Sequence, residues 1–125
     1  MIIEMLKGKI HRATITEADL NYMGSMTLDE DLMDASGLIE YEKVHVLDIT
    51  NGSRIETYVI RGERGSGKVC INGAAAHFIH VEDLVIIVSY CQLSNEESKN
   101  YKPQIVLVDE DNQIVSKSKE LHLLI

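Results

Sequence analysis

A chain of 125 residues has room for one domain with a real core and none for a second. Hydrophobic residues make up 45% of it and charged residues 26%, as in soluble globular proteins, while aromatics fall to 5% and tryptophan is absent. The formal net charge of −8 argues against nucleic acid as a partner, because phosphate neutralisation needs clustered Lys and Arg, but a few converging cations could still hold a small acidic substrate.

Valine and isoleucine are abundant, which favours strands. Residues 1–16 read as a long strand broken at Gly8, with Lys9 and His11 on one face because their parity matches; a solvated basic edge is the simplest reading. Residues 16–19 look like a turn, and 20–26 like a short extended piece containing Tyr22-Met23-Gly24-Ser25. Thr27 then offers an N-cap, with Asp29, Glu30 and Asp31 in the first turn, Leu28, Leu32 and Ala35 at helical spacing, and Gly37 as the stop. This spacing predicts an amphipathic helix of about two to three turns whose acidic face is solvated. Residues 43–50 read as a strand, Asn51-Gly52 as a type I′ hairpin turn, and 53–60 as the return strand. On that strand Arg54, Glu56 and Tyr58 share one face and Thr57 points the other way.

The loop at 61–67 is rich in glycine and charge but matches neither a P-loop nor a dinucleotide fingerprint, so it reads as a mobile connector. A short strand at 68–71 leads into Asn72-Gly73-Ala74-Ala75-Ala76, where small residues let the backbone approach a neighbour closely and offer N–H groups to an anion. An ordinary helix start or tight turn is the alternative. His77 and His80 lie three apart without further ligands, which makes no metal site. The apolar run at 85–90 suits a central strand. Residues 94–97 cap a short helix or turn before Pro103, and 105–108 with 114–115 form a last hairpin about the turn at 109–112. The tail at 120–125 is apolar without a clear partner. Cys70 and Cys91 form no C-x-x-C pair and read as buried, reduced thiols. With no signal-peptide pattern and no apolar run near the ~20 residues of a membrane span, a cytoplasmic protein is expected. Short strands, tight turns and two small helices favour a compact β-barrel over a sandwich.

Six segments carry a resemblance: Lys9-Ile10-His11-Arg12, Leu20-Asn21-Tyr22-Met23-Gly24-Ser25, Asn51-Gly52-Ser53-Arg54, Glu56-Thr57-Tyr58, Arg64-Gly65-Ser66-Gly67 and Asn72-Gly73-Ala74-Ala75-Ala76-His77. Each alone is a weak signal. In this order and spacing the chain resembles the pyruvoyl-dependent aspartate 1-decarboxylases along nearly its whole length. The resemblance implies a mainly β, double-psi β-barrel with one or two short helices, assembled as a homotetramer with active sites near subunit interfaces. It also implies an inactive precursor that cuts itself between Gly24 and Ser25, giving a β chain of residues 1–24 and an α chain of residues 25–125. The cofactor is then a covalently bound pyruvoyl group made from Ser25, with no metal and no pyridoxal phosphate.

The residue types suit the chemistry of the cleavage that the resemblance implies. Gly24 carries no side chain to obstruct its carbonyl, and the Ser25 hydroxyl can attack there to give an ester. Elimination leaves a dehydroalanine, which hydrolyses to pyruvoyl with loss of ammonia. The resemblance gives Thr57 the role of oxyanion donor during cleavage. It implies conversion of L-aspartate to β-alanine and CO2 through a Schiff base, for pantothenate and coenzyme A synthesis. Tyr58 is then the proton donor, and Lys9 and Arg54 the carboxylate contacts, Arg as a fork and Lys as a point charge. Thr57, Gly73, Ala74 and Ala75 complete the substrate site, and His11, Tyr22 and Asn72 line it. Whether a helper protein assists maturation stays open at this stage. Two departures stand out: Met26 follows the cleaved bond where a smaller or β-branched residue is expected, and Leu47 stands where some members have Trp. Met26 is expected to crowd the site.

Two other classes fit less of the chain. An unprocessed barrel with a binding role would leave the joint presence of Ser25, Tyr58, Arg54 and Lys9 unexplained. A serine hydrolase would need a G-x-S-x-G elbow and a His–Asp pair, and neither is found.

Overall fold

The computed structural model describes residues 1–119, and the tail expected at 120–125 lies outside them. The strands are β1 (Ile2–Thr14), β2 (Glu17–Asp19), β3 (Ser25–Asp29), β4 (Lys43–Asp48), β5 (Arg54–Gly62), β6 (Val69–Asn72), β7 (Leu84–Ser94), β8 (Gln104–Val108) and β9 (Ile114–Ser118). Two short helices, α1 (Glu30–Ser36) and α2 (Asn95–Ser98), and a 3-10 turn at Gly73–His77 complete the described chain.

The strands form one sheet in the order β2-β6-β3-β5-β4-β7-β1-β8-β9. Only Ile15 and Thr16 separate β1 from β2, a reach of roughly 7 Å, yet the two strands stand six places apart in that order. The sheet must therefore curl until its ends approach, and bonds from Thr16 N–H to the Val69 carbonyl (2.8 Å) and from Ile15 N–H to the Asp83 carbonyl (2.9 Å) mark the approach. The far edge returns to the same place. Asn112, in the turn between β8 and β9, is 1% exposed, accepts from Thr14 N–H and donates to the carbonyls of Thr14 and Gly67, all at 2.8 Å. The result is a mainly β barrel with short helices, whose core includes Ile10, Met26, Leu28, Val46, Val59, Ile71 and Ile87.

Several expectations are corrected at this level. β1 is no edge, since it pairs antiparallel with β7 and parallel with β8, which sets Lys9 between Val88 and Ile105. Gly8 sits in this strand where any Cβ would run into the Ser36 carbonyl of α1. Residues 17–19 are a strand paired with β6 rather than a turn, and 20–24 are irregular rather than extended. The helix starts later than its composition suggests. Thr27 and Leu28 belong to β3, bonded to β5 and β6, and Asp29 is the N-cap, accepting from Asp31 N–H at 2.8 Å. Gly37 ends α1 in the left-handed conformation, as expected. The acidic face of α1 is not simply solvated, because Arg64 reaches Glu30 (2.7 Å), Asp31 (2.6 Å) and Asp34 (2.9 Å).

The connector at 61–67 is tied down. β5 runs through Gly62, and the Asp29 carboxylate accepts from the N–H groups of Gly65 and Gly67 at 2.9 Å each. The hairpin after β4 exists, but its loop spans residues 49–53 and is no type I′ turn. The Asp48 carboxyl accepts from Thr50 N–H and Asn51 N–H, and Gly52 N–H returns to the Asp48 carbonyl at 2.9 Å. The apolar strand at 85–90 extends over all of β7 and lies inside the sheet, and Ser94 with Glu97 forms a capping box at α2. Both cysteines are free; Cys70 is buried and Cys91 half-buried. Among the described residues no helix is long and apolar enough to cross a membrane.

Candidate active site

Ser25 opens β3 and is 2% exposed. Its antiparallel partner on β6 is Asn72, whose side-chain amide donates to Ser25 Oγ at 3.2 Å and to Thr27 Oγ1 at 3.1 Å. That amide is free to do so because Asn72, although it precedes the 3-10 turn, makes no side-chain cap there. Thr27, whose sequence context suggests a helix cap, lies on β3 with the parity of Ser25 and shares the Asn72 amide with it.

The direction a Cβ would take at Gly24 is open, with nothing within 4 Å. The tight contact is made from the other side. Gly73 has φ of +73°, and a Cβ there would fall 2.8 Å from Gly24 Cα, 3.0 Å from Gly24 N and 3.2 Å from the Tyr22 carbonyl oxygen. The small-residue run thus lets one backbone approach another, and the backbone it approaches is the Gly24–Ser25 junction. From Gly73 the turn continues through exposed Ala74 and half-buried Ala75.

β5 flanks β3 on the other side in parallel, with Met26 opposite Val59. Thr57 and Tyr58 are the two residues of β5 just before that pair. Tyr58 is 39% exposed and Thr57 half-buried, on opposite faces of β5 as the alternation requires. Met26 is fully buried in the core between Ile71 and Val59, so its bulk fills the barrel interior.

The cations lie elsewhere on the sheet. Arg54 begins β5, paired with Leu47, and Lys9 and His11 lie on β1. Burial lowers the ammonium pKa of Lys9; burial, then the charges of Lys9 and Arg12, lower that of the His11 imidazole, whose Nδ1 is buried without a hydrogen-bond partner. Lys7, Arg61 and Arg64 all bind carboxylates, whereas among the described residues neither Lys9 nor Arg54 has an ion-pair partner. β1 stands four places from β3 in the sheet, roughly 19 Å measured along it. One copy of the chain brings Tyr22, Gly24, Ser25, Asn72 and Gly73 together, with Thr57 and Tyr58 on the flanking strand β5 and Lys9 and His11 on β1, four places away along the sheet.

No group of three or more His, Cys, Asp and Glu side chains among the described residues could hold a metal. A cavity of about 440 Å³ lined by Asp34, Ala35, Gln104, Ile105 and Lys117 includes none of the site residues.

A curled β sheet buries the Ser25 hydroxyl beneath an amide, directly after a glycine held against a second backbone, and makes Ser25 the candidate centre of a site on a barrel protein. Residues 1–115 match the family model described as aspartate decarboxylase. The chain is 61% identical to an aspartate 1-decarboxylase of Caldicellulosiruptor saccharolyticus, covering 98% of this chain and 96% of that protein. It is 57% identical to one from Acetivibrio thermocellus over 98% of both chains, and 61% identical to one from Corynebacterium efficiens over 93% and 85%. The chain belongs to the aspartate decarboxylase family.

Proposed function

We propose that this chain is a self-processing enzyme that converts L-aspartate to β-alanine and CO2, supplying pantothenate and coenzyme A synthesis in the cytoplasm. Its precursor cuts itself between Gly24 and Ser25 into residues 1–24 and 25–125, and Ser25 becomes a pyruvoyl group. The observation that carries this is the Ser25 hydroxyl, 2% exposed and bonded by Asn72 at 3.2 Å, next to a glycine whose free side is open.

The residues present fit the group. The Asn72 amide donates to Ser25 Oγ, fixing the oxygen while leaving its proton free to depart as it attacks the Gly24 carbonyl. Thr57, on the strand β5 that flanks β3, supplies a hydroxyl to the oxyanion. Oγ leaves with Gly24 as part of its new carboxylate, the nitrogen of Ser25 leaves as ammonia, and water supplies the ketone oxygen. Asn72, Thr27 and the N–H groups of Gly73, Ala74 and Ala75 remain around the position Ser25 occupied.

The pyruvoyl ketone supplies an electrophile for the substrate amine and a sink for the electrons released with CO2. The rest belongs to the chain. Lys9 and Arg54, cations without carboxylates of their own, hold the two carboxylates of aspartate, and a lowered ammonium pKa on Lys9 reflects the partly dry site such a contact needs. Tyr58, on the strand β5 that flanks β3, returns a proton to the carbon that loses CO2. Tyr22 and His11 line the site.

Assembly is part of the reading. Lys9 and Ser25 stand far apart along one sheet, and Leu20, Tyr22, Met23, Phe78 and Val81 are all more than half exposed in one copy or at its limit, with Met23 at 79%. A homotetramer that covers this apolar surface brings the Lys9 of one copy to the Ser25 of its neighbour.

Intact mass and an aspartate assay test the proposal together. The expected result is two polypeptides corresponding to 1–24 and 25–125, β-alanine as product, and an uncleaved, inactive Ser25→Ala variant. An active preparation consisting of one unbroken polypeptide would overturn it.

A further inference from the structure

The side chains of β3 divide by alternation. Met26 and Leu28 enter the core, and Ser25 and Thr27 stand on the opposite face of the strand. Asn72 pairs directly with Ser25, while Thr27 pairs with Cys70, so Asn72 is the diagonal neighbour of Thr27 across the two strands. Its side chain reaches both positions. The amide nitrogen donates to Ser25 Oγ at 3.2 Å and to Thr27 Oγ1 at 3.1 Å.

A side-chain amide has a nitrogen end with two donors and an oxygen end that only accepts. Both hydroxyl oxygens take their hydrogens from the nitrogen end, which therefore faces β3. Asn72 is 7% exposed and makes no side-chain cap on the turn that follows it. The two hydroxyls are thus what decides which end of the amide faces Ser25.

The two contacts do not last equally. Under the function proposed above, the Ser25 oxygen leaves with Gly24 when the chain is cut, and one of the two acceptors is lost. Thr27 is untouched by the cut. Its β-branched side chain is restricted at its first torsion, which keeps Oγ1 in place without help from Ser25. We propose that Thr27 is a positioning residue: it anchors the Asn72 amide with its nitrogen toward residue 25, before the cut and after it. One N–H stays on Thr27 Oγ1, and the other stays aimed at the place the Ser25 oxygen occupied, where an oxygen of the reacting groups can accept it. The consequence for turnover rests on that function; the anchoring of the amide does not.

Thr27→Val keeps the shape of the side chain and removes the acceptor, so an N–H is left unpaired and the amide is free to turn over. Self-cleavage and kcat should each fall roughly tenfold, with little change in KM for aspartate. Thr27→Ser returns the oxygen on a freer rotor and should recover most of both rates; Ser and Val variants that are equally slow would show that the hydroxyl is not what matters. A double-mutant cycle with Asn72 separates positioning from packing. In an Asn72→Ala background, Thr27→Val should cost nothing further in either rate, and a further fall of the same size would show that Thr27 acts without Asn72. Hydrogen exchange gives a readout independent of activity. The Ser25→Ala chain stays uncut, lacks the Ser25 oxygen and leaves Thr27 alone to hold the amide. Exchange of the Asn72 side-chain N–H groups, followed by NMR, should quicken about tenfold when Thr27→Val is added, and unchanged exchange would overturn the anchor. A wild-type chain that neither cuts itself nor makes β-alanine would sink the proposed function, while the exchange measurement would still decide the role of Thr27.

Discussion

At Gly73 a single hydrogen does the work that a methyl group would undo. A Cβ there would sit 2.8 Å from Gly24 Cα and 3.0 Å from Gly24 N, and both are backbone atoms that cannot swing aside as the end of a long side chain could. The +73° φ adds a left-handed cost of order 1 kcal/mol for any other residue. Gly73→Ala should therefore push the Gly24 carbonyl away from Ser25 Oγ and slow self-cleavage by about tenfold or more, the factor that roughly 1.4 kcal/mol of misplacement represents. A time course of intact mass on freshly made protein measures this, and cleavage at the wild-type rate would show that the close approach plays no part in maturation. Much of the site at this scale was legible in the sequence. The Gly24-Ser25 pair, Asn72 and the glycine after it were all singled out, because the need for small or hydroxyl-bearing residues is local. What Gly73 makes room for was not legible, since the two backbones lie 49 positions apart in the numbering.

At the scale of elements, Asp29 joins three pieces of chain. It is 2% exposed, caps α1 through Asp31 N–H at 2.8 Å, and holds the β5–β6 connection through Gly65 and Gly67 at 2.9 Å. Asp29→Ala removes a cap worth about 1 kcal/mol and orphans the buried Gly67 N–H at about 1–3 kcal/mol, so urea unfolding should show a loss of at least about 2–4 kcal/mol. Asp29→Asn keeps an acceptor and should lose less; equal losses would mean that the carboxyl oxygens are not what holds the connection. The same residue shows why the helix boundary was misplaced from sequence. A threonine followed by acids has the composition of a cap, but residues 25–29 are bonded to β5 and β6 at once, and pairing on both sides keeps them extended. Asn51-Gly52 did mark a hairpin, while the turn type was set by the Asp48 carboxyl, which captures two N–H groups and lengthens the loop. Lys9 and His11 do share a face, but the place of their strand within the sheet is fixed by partners at least 70 residues away.

For the whole molecule, closure of the barrel and division of the site are one problem. Curling the sheet brings β2 back to the end of β1, which leaves Lys9 among β7 and β8 and Ser25 among β5 and β6. A chain that folded alone would hold its substrate cation and its reacting serine on different stretches of the same wall, with Tyr22, Met23 and Phe78 facing water nearby. The symmetric assembly proposed above would resolve both with one contact, each copy lending Lys9 and receiving one. Complementation tests this directly. Lys9→Ala should cleave itself normally, since cleavage uses the Ser25 hydroxyl and the Gly24 carbonyl and no group of Lys9, but turn over aspartate far below wild type; Ser25→Ala should do neither. Co-expressed, the two chains can build sites in which the Ser25→Ala copy supplies Lys9 and the Lys9→Ala copy supplies the processed Ser25, and random assembly makes about a quarter of all sites intact in this way. Purified mixed oligomers, with each chain carrying a different tag, should then recover about a quarter of wild-type turnover. If the mixture is no more active than the two variants prepared separately, Lys9 serves the Ser25 of its own chain, and the divided site is wrong.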